Sequence, residues 1–191
     1  MKVKDKFTVK AKKEGYKARS VYKLSDINSK YQIVKRNSRV LDLGCWPGSW
    51  MQYCLNLGCD VTGVDLKGTR LKGIAFIKGN IFDKAMFDKL LGLGKFDAVL
   101  SDMAPKTTGI KNVDQARSID LCYRALYIAR YLLKNNGDFI CKIFQSDESS
   151  TFVNEVQRYF SFVKITKPMA SKKRSGEIYL IAKGLKSIQT L

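Results

Sequence analysis

Histidine is absent from this chain of 191 residues. That removes Ser-His-Asp and Cys-His catalysis outright, so any acid–base work falls to lysine, aspartate, glutamate or tyrosine. The five cysteines, at positions 45, 54, 59, 122 and 141, include no Cys-x-x-Cys pair. A disulfide framework and an ordinary zinc site are both disfavoured, and no metal is expected. No apolar run approaches the roughly 18 residues of a membrane span, and the opening MKVKDKFTVKAKKEG lacks the apolar core of a secretory signal. The chain reads as soluble and intracellular, in the cytoplasm or in an organelle such as the mitochondrion. Proline occurs only at 47, 105 and 168, each in a loop that follows an apolar run, as in a sheet whose interior rejects it. Acidic residues are also scarce, 17 against 35 Lys and Arg.

The resulting net charge of +18 is concentrated rather than spread. Residues 1–39 hold 13 basic and 3 acidic residues, and residues 164–174 hold five basic and no acidic ones. Neither segment has the apolar face of an interfacial helix. Two such patches point to a polyanion, nucleic acid before membrane.

The stretch RVLDLGCWPGSW (39–50) organises the rest. An apolar run ends in Gly44, Pro47 and Gly48, and a helical pattern starts at Ser49, read as its cap and running to about Leu57. Strand, tight loop and helix in that order offer backbone and helix N–H groups to a nucleotide-like ligand. Turn-building alone is the other reading of such a loop. DVTGVDL (60–66) is a second strand ending in Asp65, where ribose hydroxyls are gripped in dinucleotide-type folds or where a turn aspartate sits. Further strands fall at 74–78, 96–103, 137–144, 162–168 and 177–184. Helical patterns occupy 18–35, 83–91, 115–134 and from Ser149 or Ser150 to Phe160. Residues 1–17 read as a basic arm without periodicity, 104–114 as a loop and 185–191 as a tail. The sum is one domain, 18–184, an α/β Rossmann-like, doubly wound sheet of seven strands with helices on both faces. No helix separates the last two strands, so the last can run antiparallel.

Four charged residues interrupt apolar surroundings: Lys23, Asp102, Lys142 and Glu177. Lys142 is the clearest anomaly, because a lysine inside the strand FICKIF is costly without a partner or a task. Strand ends and a terminal hairpin bring Asp102, Lys142 and Glu177 to one edge.

With these residues in view, the sequence resembles the FtsJ (RrmJ, RlmE) family of S-adenosylmethionine-dependent RNA 2′-O-methyltransferases. The matching segments are RSVYKL (19–24), LDLGCWPGSW (41–50), SDMAP (101–105), CKIFQ (141–145) and SGEIYLIA (175–182). The resemblance implies a methyltransferase sheet rather than the six-stranded sheet of dehydrogenases, against which the missing GxGxxG spacing also stands. It implies a catalytic tetrad of Lys23, Asp102, Lys142 and Glu177, with Lys142 as the base toward a ribose 2′-hydroxyl. Partial burial and the charges of Lys23 and the sulfonium would favour its neutral form. S-adenosylmethionine would lie over Gly44, Pro47, Gly48 and Trp50, with Asp65 on the ribose, Asn80 facing the adenine where the family usually has aspartate, and Asp102 near the methionine end. Cys45 and Trp46 replace two small residues, and Lys106 stands where asparagine is usual. The implied substrate is a uridine of large-subunit ribosomal RNA, free or in a ribosomal subunit, and the protein is read as a monomer. A tRNA enzyme of the same family is the alternative, since EGYKARS (14–20) also suits that branch. A non-catalytic ribosome-assembly RNA-binding factor is a second alternative, which an incomplete tetrad would have favoured.

Overall fold

A computed structural model describes residues 5–69, 71–106, 108–172 and 175–187. In chain order the elements are α1 (Lys6–Lys13), α2 (Val21–Tyr31), β1 (Arg39–Leu43), α3 (Ser49–Asn56), β2 (Asp60–Asp65), β3 (Ala75–Lys78), α4 (Lys84–Leu91) and β4 (Phe96–Ser101). They continue with α5 (Lys111–Leu132), β5 (Leu133–Phe144), α6 (Ser149–Tyr159), β6 (Phe160–Thr166) and β7 (Glu177–Leu185). The strands form one sheet in the order β3-β2-β1-β4-β5-β7-β6. The pairings from β3 through β5 are parallel, and β7 runs antiparallel to both β5 and β6. The seven-stranded α/β sheet with an antiparallel last strand is thus as the sequence implied, and β7 is inserted between β5 and β6. Chain direction across the sheet reverses between β1 and β4, which opens a crevice at their carboxyl ends.

Alternation along each strand divides the core into two layers. Leu41, Leu43, Val99, Phe139, Cys141, Ile143 and Leu180 pack on the α4, α5 and α6 side. Val40, Ala98, Leu100, Ile140, Tyr179 and Ile181 pack on the other, with Leu24 and Ile27 of α2 and Trp50, Met51 and Cys54 of α3. The central strands are buried on both faces, which is why they read as nearly continuous apolar runs.

Several boundaries differ from the sequence reading. Residues 6–13 form a helix rather than an arm. Ala11 is buried, the Phe7 ring lies 5.6 Å from that of Tyr22, Arg19 pairs with Asp5, and the Tyr22 hydroxyl donates to Glu14 at 2.7 Å. With only two inward apolar residues, α1 owes its stability to docking, which periodicity does not register. The expected helix at 18–35 shortens to α2, ended by Gln32 at φ 52°. Ser49 does not cap α3. Gly48 precedes the helix, and the Ser49 hydroxyl bonds that of Ser20 at 2.7 Å. Helix α5 starts at Lys111 instead of 115. Strand β5 starts at Leu133 instead of 137, because Leu133 pairs with Phe96 before a bulge restores the register at Asp138. The tail residues 188–191 lie outside the described residues, while Leu185 is buried at the end of β7.

Candidate active site

Three of the four anomalous charged residues share one face of the sheet because each stands two positions from a residue of the α2/α3 layer. Asp102 follows Leu100, Lys142 follows Ile140, and Glu177 precedes Tyr179, so a period of two sends them all toward α2. Helix α2 contributes Lys23. The Lys23 Nζ lies 2.7 Å from one carboxylate oxygen of Glu177 and 2.8 Å from the other. The Lys142 Nζ donates to the Asp102 carbonyl at 2.6 Å and lies 3.2 Å from its carboxylate. Both lysines are buried, at 8% exposure. All four residues of the expected set are therefore together, as two ion pairs.

Tyr179 joins the pairs, and the sequence reading missed it. It lies opposite Lys142 in the β5–β7 register, and its hydroxyl donates to Asp102 Oδ1 at 2.6 Å. The Lys23 ammonium sits 5.7 Å from its ring centroid. Burial and the charges of Asp102 and Glu177 push this phenol well above its ordinary pKa, so it remains a donor. A tyrosine in a strand is ordinarily core, and only the register reveals that this one reaches the site. Ser171, from the basic loop after β6, donates to Glu177 at 2.8 Å.

Beside this cluster, a narrow crevice is lined by Ser20, Asp42, Gly44, Cys45, Trp46, Ser49, Trp50 and Asp102. Gly44 and Gly48 have φ of 75° and 110°. A Cβ on Gly44 would come 2.4 Å from the Met103 Cγ and 3.0 Å from its Cα, so the loop is tight by construction. Pro47 follows a cis peptide bond, and its carbonyl accepts from the Thr69 hydroxyl at 3.2 Å. Trp50 is almost wholly buried. Its indole N–H donates to the Ser20 carbonyl at 2.8 Å and its ring packs 5.9 Å from Tyr179, which makes it a wall of the crevice.

Asp65 ends β2 and accepts from the backbone N–H groups of Trp46 at 2.9 Å and Lys67 at 2.8 Å. Its turn role is thereby filled, and each oxygen keeps a second lone pair for a ligand. Asn80 is exposed after β3 and its side chain accepts from the Phe82 N–H at 3.1 Å. Leu66 and Phe82, close in the chain to Asp65 and Asn80, are largely exposed apolar residues that the sequence reading passed over.

Asp42 is the other omission. It is fully buried, and neither carboxylate oxygen has a hydrogen-bond partner among the described residues. Burial first, then the charges of Asp102 and Asp65, push its pKa well above the carboxylate range. An orphaned buried acid on the wall of a crevice is a site for a cationic ligand. The signal was an aspartate inside the apolar run VLDLG, as plain as Lys142 but hidden by the glycines beside it.

Of the two basic segments, α1 and α2 carry exposed Lys6, Lys10, Lys12, Lys13 and Lys30. The loop after β6 is tied to α2 by the Met169 N–H, which donates to Asp26 at 3.1 Å. Lys173 and Arg174 lie outside the described residues. Both segments therefore border the tetrad from the α2 side. A roomier concavity of about 550 Å³ lies in the opposite layer between α5 and α6, lined by Tyr123, Tyr127, Arg130, Glu155 and Arg158 among others. None of the expected site residues reaches it. Among the described residues no helix is long and apolar enough to cross a membrane, and no group of three Cys, Asp or Glu side chains is arranged to hold a metal.

Comparison with known proteins bears on the family and the fold. The family model described as FtsJ-like methyltransferase matches residues 16–185. Ribosomal RNA large subunit methyltransferase E of Methanothrix thermoacetophila is 47% identical over 188 residues, covering 96% of this chain and 74% of the relative. The protein of the same name from Syntrophobacter fumaroxidans is 46% identical over 191 residues, covering 96% and 97%. A crystal structure described as a ribosomal RNA methyltransferase from Plasmodium falciparum superposes with a TM-score of 0.79 at 29% identity, covering 89% of this chain and 98% of that one.

Proposed function

This chain belongs to the FtsJ-like methyltransferase family, and on that premise we propose that it methylates a ribose 2′-hydroxyl of large-subunit ribosomal RNA, with S-adenosylmethionine as donor. The observation that carries the reading is the convergence of the Lys23–Glu177 and Lys142–Asp102 pairs beside the crevice that holds the orphaned Asp42.

The donor set fits this cofactor. S-adenosylmethionine carries positive charge on its sulfonium and its amino group, and Asp42, Asp65 and Asp102 supply carboxylates at or near the crevice. Asp65 has lone pairs left for ribose hydroxyls, while Asn80, with Leu66 and Phe82, offers one polar and two apolar surfaces to an adenine. Gly44, Pro47 and Gly48 keep the loop low, and Trp50 backs it. When bound, the cofactor supplies an electrophilic methyl group.

The work of the protein's own residues is to hold and deprotonate a weak nucleophile. In-line positioning is the larger contribution, and a base adds roughly 10² to 10⁴ in rate. Lys142 has three hydrogen-bonding positions on Nζ. Two are directed at Asp102, which leaves one for the ribose hydroxyl. Tyr179 donates to the same Asp102 oxygen that Lys142 approaches, and Glu177 fixes Lys23. The basic segments on α1, α2 and the loop after β6 hold phosphates, and only RNA presents the 2′-hydroxyl. The reading places the protein in contact with ribosomal RNA, free or in a subunit, as a monomer.

Lys142→Ala should abolish methyl transfer to large-subunit ribosomal RNA while cofactor affinity, measured by calorimetry, stays near wild type. Lys142→Arg should be equally inactive, because guanidinium keeps its proton. Activity of either variant within about a factor of two of wild type, against the roughly 10² or more expected of a lost base, overturns the assignment.

A further inference from the structure

Trp46 has no part in the mechanism above, yet it is a half-exposed indole at the lip of the crevice. Its setting is built rather than accidental. The Asp65 carboxylate accepts the backbone N–H of Trp46 on one oxygen and that of Lys67 on the other. The same carboxylate thus fastens the β1–α3 loop to the turn after β2. With the two backbones fixed, the Lys67 ammonium lies 4.4 Å from the centroid of the indole ring. A cation on one side of the ring and half the side chain open to solvent leave a π surface facing outward next to a positive charge.

We propose that Trp46 and Lys67, fastened together by Asp65, form a platform on which an unpaired base of the RNA substrate stacks while Lys67 meets its phosphate. The inference rests on the reading of the substrate as RNA and adds the residues that seat the nucleotide at the crevice. Charge separates RNA from the cofactor as the occupant. The wall of the crevice carries the Asp102 carboxylate and, in Asp42, a buried acid that a cationic ligand would ionise, and so suits a cationic cofactor. At the lip the Asp65 carboxylate is turned to the backbone N–H groups of Trp46 and Lys67, while the exposed Lys67 ammonium lies at the indole ring, where it attracts a phosphate. Stacking on an aromatic ring tolerates any base, as a platform beside a target nucleotide requires.

The chain has two tryptophans, and they differ in a usable way. Trp50 is 2% exposed and bonded to Ser20, whereas Trp46 is 50% exposed. The emission lost on Trp46→Phe therefore isolates Trp46, with Trp50 as the internal reference. Titration with oligouridylate should quench that component, and S-adenosylhomocysteine alone should leave it in place. Trp46→Ala should weaken oligouridylate binding roughly tenfold at low salt, and Trp46→Phe should recover most of the loss. An unchanged circular dichroism spectrum and melting temperature in Trp46→Ala show that the variant is folded. Lys67→Ala should weaken RNA binding and flatten its salt dependence.

Full quenching by S-adenosylhomocysteine with none added by RNA assigns Trp46 to the cofactor and overturns the proposal. Wild-type RNA affinity in Trp46→Ala overturns it too. Methyl transfer by the wild type to large-subunit RNA, measured in parallel, keeps the two readings apart. Transfer without a Trp46 quench removes the platform alone, and absence of transfer removes the proposed function with it.

Discussion

At the scale of single residues, Asp42 and Tyr179 show how function is written into buried polar groups. An acid whose folded pKa lies above its unfolded value holds its proton longer in the folded state. Its contribution to stability is present at low pH and is lost as pH rises from about 4, the unfolded carboxylate value, through the raised folded value. Asp42→Asn removes that titration. The variant should melt higher than wild type, with a gain larger at pH 8 than at pH 5 and worth roughly 2–4 °C for each kcal/mol recovered. It should also bind the cofactor more weakly, because the carboxyl that a cationic ligand could ionise and pair with is gone. Calorimetric melting at the two pH values checks the first effect, and a parallel pH dependence in both proteins contradicts it. Tyr179→Phe deletes a hydrogen bond to a carboxylate, which is worth about 1.5–3 kcal/mol. It should lower kcat at least tenfold while leaving the KM for RNA near wild type, since Tyr179 orients Asp102 and does not touch phosphate. Equal losses in kcat and RNA binding would make it a packing residue instead.

At the scale of elements, alternation and docking decide what each segment does. The tetrad converges because Asp102 just after β4, Lys142 on β5 and Glu177 on β7 share parity with Leu100, Ile140 and Tyr179, because β7 is inserted beside β5, and because α2 brings Lys23 to Glu177. A one-residue slip of β7 would send Glu177 to the α5 layer. Helix α1 shows the opposite dependence, for it is held by Ala11, the Phe7–Tyr22 contact and the Arg19–Asp5 pair. Ala11→Asp places a charge in that contact, and undocking relieves it at less cost than burial. Limited trypsin digestion should then cut at Lys10, Lys12 or Lys13 much faster than in wild type, with the seven-stranded domain still resistant and RNA affinity reduced. Unaltered cleavage would show that α1 is not held through Ala11. The cysteines behave as core residues: all five are buried and free, and burial pushes the thiols of Cys45, Cys54 and Cys141 up, away from the reactive thiolate.

At the scale of the whole molecule, charge placement sets the response to salt. The two basic segments account for fifteen of the eighteen net positive charges. They border the tetrad through α1, α2 and the loop after β6. If about six of these lysines and arginines meet phosphates, RNA affinity should fall by on the order of 10³ between 50 and 200 mM salt. Filter binding across that range measures the slope, and an affinity independent of salt would exclude the basic segments from RNA contact.

The sequence by itself determined the α/β class, the seven strands, the four charged residues that interrupt apolar surroundings and the tight loop after β1. Each of these is a local signal: an apolar run with a fixed period, a glycine where backbone must bend, or a charge where apolar residues surround it. Asp42 and Trp46 carry equally local signals and Tyr179 carries none, and the meaning of all three depends on what lies across the crevice. That Tyr179 faces Lys142, that α1 docks on α2, and that Asp65 fastens Trp46 to Lys67 are pairings between residues far apart in the chain. Only the tertiary structure decided them, because cross-strand register and helix docking follow from burial shared between segments, which no single segment contains.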